Sequence, residues 1–315
     1  MSTSDDHRET PDDLIGRRLG REGYIEIRRR LGQGGIGTVY EAWDHNKARS
    51  IALKFLRTDH AIGKEMVLRF QREGRRFREL RHPNVVRVLG LGQKDGLIFI
   101  ASEYVDGRNL AEILDERGSL QIDEALGLCQ EIARGLDAAH AQRIVHRDMK
   151  PENVMIRTSD GAVKVVDFGI AKVLDSQSIV SQPGVYLGTP GYSAPEQIKG
   201  DDVDCRADIF ALGAILYELL TGRIAFRGRN TVQILRSTTD REPISPTKFN
   251  DSVVRPVAKL ISSMIEKNPR RRPKDMTAVI DAIDRVRNAL SSGRGSSDER
   301  RGIRGVLRRV FEGIA

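Results

Sequence analysis

A short polar stretch, H-R-D-M-K-P-E-N, constrains most strongly what this chain can fold into. It spans residues 146–153, and the tripeptide D-F-G follows at residues 167–169. Transfer of a phosphoryl group from Mg·ATP needs one carboxylate to orient the attacking hydroxyl, and oxygen ligands to hold the metal. Asp148 fits the first role, and Asn153 and Asp167 fit the second. Chance could produce H-R-D in a surface loop, but it does not account for the whole octapeptide followed by D-F-G.

Length and composition indicate a globular chain without a disulfide framework. The 315 residues suffice for one large or two moderate domains. Lys and Arg number 52 against 44 Asp and Glu, and a net charge of +8 indicates by default a solvated basic surface. Two cysteines fit a reducing compartment. The polar N-terminus lacks the apolar segment of a signal peptide, and residues 209–220 are too short to span a bilayer. We expect a cytoplasmic location.

A glycine-rich stretch near the N-terminus predicts a phosphate-binding hairpin. Gly32, Gly34 and Gly37 form G-x-G-x-x-G between two segments with strand-like alternation, residues 24–31 and 38–43. Glycines allow backbone N–H groups to approach phosphates closely. A dinucleotide-binding turn has the same spacing, but its glycines open a helix. The strand that follows here therefore favours a strand–glycine turn–strand hairpin.

A lysine in the next predicted strand is the candidate ligand for the α- and β-phosphates. Lys54 ends the tetrapeptide I-A-L-K, whereas an isolated lysine in a strand is usually only solvated. Its partner is expected on a helix over residues 65–80, which carries the glutamates Glu65, Glu73 and Glu79. We prefer Glu73, because Phe77 four residues later would lie on the same inward face.

The remaining pattern predicts strands first and helices later. Strands are expected over residues 50–56, 85–91 and 97–104, followed by a connector at residues 103–107. Helices are expected over residues 109–116, 122–142, 207–221, 231–237, 253–265 and 274–290, with short strands at residues 154–156 and 163–166.

Both ends of the chain differ from this core in composition. Residues 1–20 predict a flexible tail, and residues 291–299 predict a Ser/Gly linker. Residues 300–315 place apolar side chains at helical spacing among five arginines, which predicts a basic amphipathic helix. Three interpretations of this helix stay open: peripheral contact with an anionic membrane, docking on the chain or a partner, and a frayed surface tail. We prefer the first two slightly.

From about residue 24 to residue 290, the chain resembles the eukaryotic-like serine/threonine protein kinases, most closely their bacterial branch. The motifs above and A-P-E at residues 194–196 stand in the family's order. The resemblance implies an α+β, bilobal protein kinase fold over residues 21–290, with ATP between the lobes. Residues 21–102 would form a small lobe with a five-stranded antiparallel sheet and one key helix. A hinge at residues 103–108 would lead to a larger helical lobe, residues 109–290.

The resemblance also assigns roles in chemistry and in ATP binding. Asp148 would be the catalytic base, and Lys150 would steady the γ-phosphate. Asn153 and Asp167 would bind Mg²⁺, with Mn²⁺ as an alternative metal. The residues expected to bind ATP are Leu31, Gly32, Gly34, Gly37, Val39, Ala52, Lys54, Glu73, Glu103, Val105 and Met155.

Three further residues receive structural roles from the resemblance. Glu196 should pair with Arg272 and hold the large lobe together, and Asp208 should brace the catalytic loop from below. Lys150 indicates a serine/threonine enzyme, because tyrosine kinases carry catalytic loops like H-R-D-L-A-A-R-N.

The segment between D-F-G and A-P-E is expected to carry the substrate contact and an autophosphorylation site. Thr189 should face the substrate hydroxyl. Ser181 is our preferred phosphorylation site and Ser178 the next, because a loop phosphate could dock on Arg147. Loop serines are often only solvated, so that interpretation stays open as well.

The leading hypothesis is a serine/threonine protein kinase that acts on protein substrates, with a homodimer through the small lobes as a further expectation. The alternative is a nucleotide-binding pseudokinase scaffold, but Lys54, Asp148, Asn153 and Asp167 are all present. A small-molecule phosphotransferase is less favoured, because the long segment ending in A-P-E shapes a peptide groove. The positive charge would also suit nucleic acid, but no recognition motif supports specific binding.

Overall fold

The computed structural model describes residues 14–20, 23–34, 37–56, 74, 76–94, 97–168 and 189–292. The chain divides into two compact units. The described residues up to Arg81, together with Val86–Val105, belong to the first unit. His82–Val85 and the described residues from Asp106 onward belong to the second, so the division at Val105 and Asp106 falls within the hinge predicted at residues 103–108.

The first unit is built on an antiparallel sheet with the spatial order β1-β2-β3-β4-β6-β5. Its strands are β1 (Arg18–Leu19), β2 (Ile25–Gly34), β3 (Gly37–Asp44), β4 (Arg49–Leu56), β5 (Val88–Lys94) and β6 (Leu97–Glu103). Side chains alternate between faces, since the strand period is two residues. One face forms the core, where Ile27, Tyr40, Ala42, Ile51 and Leu53 are buried.

The short first strand corrects two expectations from the sequence. Leu14 and Leu19 are buried in the core of the first unit, and Leu19 pairs with Ile25. The sheet therefore has six strands instead of five, and a flexible tail is wrong for residues 14–20. Two residues are too few to show alternation, so the pattern could not reveal this strand. Gly20 makes the turn at φ +84°, where a Cβ would lie 2.4 Å from the Tyr24 ring.

The glycine hairpin is present between β2 and β3, as predicted. Gln33 pairs with Thr38 and Gly34 with Gly37, at the tip of the ladder. A Cβ on Gly37 would lie 2.1 Å from the carbonyl oxygen of Phe55, so this strand can run beside β4 only with glycine at that position. Within the predicted helix over residues 65–80, Gly74 and residues 76–79 are helical. Glu73 lies outside the described residues.

The second unit is mainly helical. Its helices are α1 (Leu110–Arg117), α2 (Ile122–Ala141), α3 (Pro195–Lys199), α4 (Arg206–Thr221), α5 (Thr231–Asp240), α6 (Arg255–Met264) and α7 (Met276–Ser292). A small antiparallel sheet is formed by β7 (Gly107–Asn109), β8 (Val154–Arg157) and β9 (Val163–Val165). In α7 the helix continues past the predicted boundary at residue 290, so Ser291 and Ser292 are helical and not linker.

Helix α4 is the central helix of the second unit. Every residue from Ala207 to Tyr217 is buried, as expected for a helix that is apolar on all sides. Gly213 permits a close approach to α6, because a Cβ there would lie 2.7 Å from the Met264 side chain. The helix ends at Gly222 in the left-handed conformation. In the part of the chain that the structure describes, no helix has the length and apolar character needed to cross a membrane.

Candidate active site

The backbone of the catalytic loop is fixed by a buried carboxylate from α4. Asp208 Oδ2 accepts a hydrogen bond from the N–H of His146 at 2.8 Å, and Oδ1 accepts one from the N–H of Arg147 at 2.9 Å. The side chain of Asp208 is 1% exposed. Arg147 has φ +64°, in the left-handed region that a non-glycine residue adopts only under constraint. These contacts are the brace that the resemblance implied for Asp208.

A histidine that the sequence did not single out completes this brace. His140, in the last turn of α2, donates from Nε2 to Asp208 Oδ2 at 2.8 Å. Burial alone would raise the pKa of Asp208, but the hydrogen bonds and charges of His140 and His146 outweigh it and hold the pKa below the ordinary value. Asp208 is therefore ionised at neutral pH.

The Asp208→Asn variant tests this brace. The carboxylate accepts three hydrogen bonds with its two oxygens. Asparagine has one side-chain oxygen, and its NH2 group would face an N–H group that needs an acceptor. We expect the free energy of unfolding to fall by about 1–3 kcal/mol. We expect kcat to fall by about tenfold, since the loop loses part of its constraint. Urea denaturation and steady-state phosphoryl transfer measure the two effects.

The matched control is Asp204→Asn, at an exposed carboxylate that accepts from the N–H of Arg206 beside the same helix. The amide oxygen of asparagine can accept the same hydrogen bond from the N–H of Arg206, so little change is expected. The pH dependence gives a second check. Because the folded pKa of Asp208 lies below its unfolded value of about 3.9, its contribution is present above that pH and is lost as the pH falls through the folded value. A stability gap that persists unchanged to low pH, or that the control reproduces, would contradict this role.

The proposed base and the nearest candidate metal ligand are joined by a hydrogen bond. A 3-10 turn over Pro151–Asn153 brings Asn153 back toward the loop, where its Nδ2 donates to the carbonyl oxygen of Asp148 at 2.7 Å. This bond uses the nitrogen of the amide and orients the side chain, so that the oxygen is the atom suited to a hard cation. Thr189 Oγ1 lies 3.4 Å from Asp148 Oδ1. Lys150 is half-buried in the same loop.

The D-F-G residues lie beside this loop. Asp167 follows β9 by two residues and has φ +61°. The rings of Phe168 and His146 are 4.6 Å apart between centroids, and His146 Nε2 donates to the carbonyl oxygen of Val166 at 2.9 Å. An amide oxygen and a carboxylate are donors that Mg²⁺ prefers, so Asn153 and Asp167 fit the metal that the resemblance implies.

The end of the A-P-E segment is held by a buried ion pair. Arg272 donates from Nη1 and Nη2 to the two carboxylate oxygens of Glu196, at 2.6 and 2.8 Å. The guanidinium also donates to the carbonyl oxygens of Arg206 and Glu266 and lies over the Phe210 ring. The pair predicted from the sequence is thus present in the geometry of a bidentate contact.

A second contact, which the sequence did not predict, anchors the segment before A-P-E. The hydroxyl of Tyr192 donates to Glu218 in α4. Burial, followed by the nearby Glu218 charge, raises the pKa of Tyr192, and burial also raises the pKa of Glu218. Only the fold brings these side chains together, since 26 residues separate them.

Three of the candidate ATP-binding residues of the first unit, Val39, Ala52 and Lys54, share one face of its sheet. Val39 pairs with Lys54 across β3 and β4, and Ala52 lies two residues before Lys54 on the same face. All three are half-buried, whereas their neighbours along the strands face the core. Leu31, Gly32 and Gly34 are exposed at the end of β2, and Glu103 ends β6, where its N–H donates to the carbonyl oxygen of Arg87.

Three candidate residues cannot be placed in this way. Glu73, Ser178 and Ser181 lie outside the described residues. In the remaining set, Val105 is buried at the end of the first unit, and Met155 is half-buried on β8, where it pairs with Asn109.

Together, the sheet unit, the helical unit and the braced loop have the architecture of the protein kinase class. A sequence profile described as "Protein kinase domain" matches residues 25–282. The chain belongs to the protein kinase family, and its relatives place it in the eukaryotic-like, bacterial serine/threonine branch.

The relatives and solved structures agree on both family and fold. The serine/threonine-protein kinase PrkC of Bacillus subtilis is 40% identical over 270 residues, which cover 85% of this chain and 41% of PrkC. Pkn3 of Myxococcus xanthus, also named a serine/threonine-protein kinase, is 35% identical over 89% of this chain and 53% of its own length. The kinase domain of Mycobacterium tuberculosis PknI has a TM-score of 0.66 at 29% identity, covering 83% of this chain and 94% of that domain. The bilobal kinase fold is therefore confirmed.

The chain spans about half, or less, of the length of the curated relatives that it matches. Membership in the family implies the use of ATP and a divalent metal ion.

Proposed function

We propose that this chain is a serine/threonine protein kinase that transfers the γ-phosphoryl group of ATP to hydroxyls of proteins. The arrangement around Asp148 is the observation that carries the proposal. Its carbonyl is tied to Asn153, its carboxylate lies 3.4 Å from the Thr189 hydroxyl, and its neighbour Arg147 is fixed by Asp208. A scaffold without chemistry would have no need for this arrangement.

In the proposed mechanism, Asp148 orients the substrate hydroxyl and accepts its proton as the new P–O bond forms. Thr189 lies beside the same carboxylate and would contact the incoming hydroxyl. Lys150 would neutralise charge on the γ-phosphate. Asn153 and Asp167 would hold Mg²⁺, or Mn²⁺ as an alternative, and the metal would compensate the charge on the phosphate oxygens.

The first unit would supply most of the ATP contacts. The backbone of the glycine hairpin would approach the phosphates, and Lys54 would contact the α- and β-phosphates with Glu73 as its partner. Val39, Ala52 and Met155 would hold the adenine ring by apolar contact, and the backbone of Glu103 and Val105 would bond its edge. The half-buried position of Val39, Ala52 and Lys54 on one sheet face supports this assignment.

Four further parts of the proposal concern partners and regulation. Proteins are the expected substrates, and Ser181 or Ser178 the expected site of autophosphorylation. A homodimer through the first unit, and contact of residues 300–315 with an anionic membrane or a partner protein, remain hypotheses from sequence.

The test is transfer of label from γ-labelled Mg·ATP to the chain itself and to a generic basic protein. We expect label on serine and threonine and none on tyrosine, and we expect a chelator of divalent cations to abolish the transfer. Phosphoamino-acid analysis distinguishes the acceptors. ATP binding without any transfer would favour the pseudokinase alternative, in which the nucleotide only stabilises a scaffold.

A further inference from the structure

Gln197 connects the A-P-E segment to the catalytic loop. It lies in α3, directly after Glu196, and both ends of its amide are used. Oε1 accepts from the N–H of Ala194 at 3.0 Å, and Nε2 donates to the carbonyl oxygen of Arg147 at 2.9 Å. The first bond is local, whereas the second joins positions 50 residues apart in the sequence.

The contact falls on the most constrained residue of the loop. Arg147 has φ +64°, and its N–H is already bonded to Asp208 Oδ1 at 2.9 Å. Gln197 therefore holds the carbonyl of a residue whose N–H is held from α4. A left-handed conformation is unfavourable for a non-glycine residue and persists only where the surroundings impose it. Asp148 follows Arg147 directly, and the two residues share a peptide plane. The orientation of the Arg147 carbonyl therefore fixes the orientation of the peptide plane that leads into Asp148.

We propose that Gln197 is a positioning residue for the catalytic base, and that it couples the anchored end of the A-P-E segment to Asp148. The inference rests on the proposed kinase activity, in which Asp148 accepts the hydroxyl proton. Thr189, earlier in the same segment, approaches the Asp148 carboxylate at 3.4 Å. The segment thus contacts the loop twice, once at the side chain of the base and once at the backbone before it.

Glutamine suits this position because its amide accepts and donates at once. An ionised glutamate could still accept from Ala194 but could not donate to Arg147. A protonated glutamate could donate again. A rival explanation is that Gln197 only caps α3 locally, through its bond from the N–H of Ala194. In that case, loss of the bond to the Arg147 carbonyl should not change the catalytic rate.

The test compares Gln197→Glu and Gln197→Met with the unmutated chain between pH 5 and 8. The matched control is Gln233→Glu, at a glutamine in the first turn of α5 whose Oε1 likewise accepts a backbone N–H, from Arg229. At pH 8 we expect kcat of both Gln197 variants to fall by about five- to tenfold with little change in KM for ATP. At each pH, the kcat of a variant is divided by the kcat of the unmutated chain. As the pH falls, this ratio should rise for Gln197→Glu and stay constant for Gln197→Met.

Hydrogen exchange of the peptide that contains Arg147 provides a readout that does not need activity. Its exchange should be faster in both Gln197 variants and unchanged in Gln233→Glu. The proposal would be overturned if both Gln197 variants had the same kcat as the unmutated chain, or if Gln233→Glu lowered kcat by the same factor. A flat pH ratio for Gln197→Glu would overturn it as well. An unmutated chain that transfers no phosphoryl group would count against the proposed function, and the exchange measurement would then decide the coupling alone.

Discussion

The Asp148→Asn variant is expected to transfer phosphoryl groups about 10²–10⁴-fold more slowly than the unmutated chain. An amide cannot accept the proton of the substrate hydroxyl at neutral pH. Two of the contacts at residue 148 do not need the carboxylate charge, because Asn153 bonds its carbonyl oxygen and the Thr189 hydroxyl can donate to an amide oxygen. ATP affinity and stability should therefore stay close to those of the unmutated chain. Single-turnover label transfer and equilibrium ATP binding measure the two quantities separately.

The matched control for this substitution is Asp160→Asn. Asp160 lies in the exposed turn between β8 and β9, where it accepts from the N–H of Ala162 and pairs with Arg157. The same chemical change there should leave the rate within about twofold. Equal rates for Asp148→Asn and the unmutated chain would remove Asp148 from the role of base.

The Arg272→Met variant is expected to lower the free energy of unfolding of the second unit by about 3–5 kcal/mol. The side chains of Arg272 and Glu196 are 0% and 5% exposed, so the substitution leaves a carboxylate buried without its cation. It also removes the donor to the carbonyl oxygens of Arg206 and Glu266. Methionine fills part of the volume, so lost charge compensation and lost hydrogen bonds account for most of the effect. Urea denaturation followed by circular dichroism gives the value.

Two companion variants separate burial from pairing. Arg117→Met breaks a contact of the same bidentate type with Glu124, but both partners are exposed, at 44% and 39%, and the loss should stay below about 1 kcal/mol. Combining Glu196→Gln with Arg272→Met removes the unpaired charge and should recover part of the stability. Equal losses for Arg272→Met and Arg117→Met would show that burial does not govern the pair.

The sequence predicted those parts of the site that lie close together along the chain. The stretch from Asp148 to Asn153 is local, so its residue types and spacing were enough to propose the chemistry. Strands β2 to β6, β8 and β9 were also predicted, and the bounds of β3 and β4 lie within a residue of the prediction, whereas β1 and β7 were not predicted. In each case the signal lies in one window of sequence.

The parts that could not be predicted depend on contacts between distant segments. His140 and Gln197 lie 68 and 50 residues from their partners Asp208 and Arg147. Neither has a spacing or composition that marks it, since an amphipathic helix carries polar residues at such positions without any special role. Strand β1 was missed for another reason, because burial of Leu14 and Leu19 depends on a sheet that only the later strands build.

The burial of α4 has a consequence for how the proposed kinase activity can be regulated. Asp208 holds the catalytic loop from a helix that is buried along its length, so the loop cannot rearrange without disturbing the core of its unit. Regulation of the catalytic rate should therefore act on other elements, and the catalytic loop itself should keep one conformation. Heating should then abolish phosphoryl transfer only as the second unit unfolds. Destabilising substitutions in the core of this unit should lower the folded fraction of the protein more than the kcat of the folded molecules.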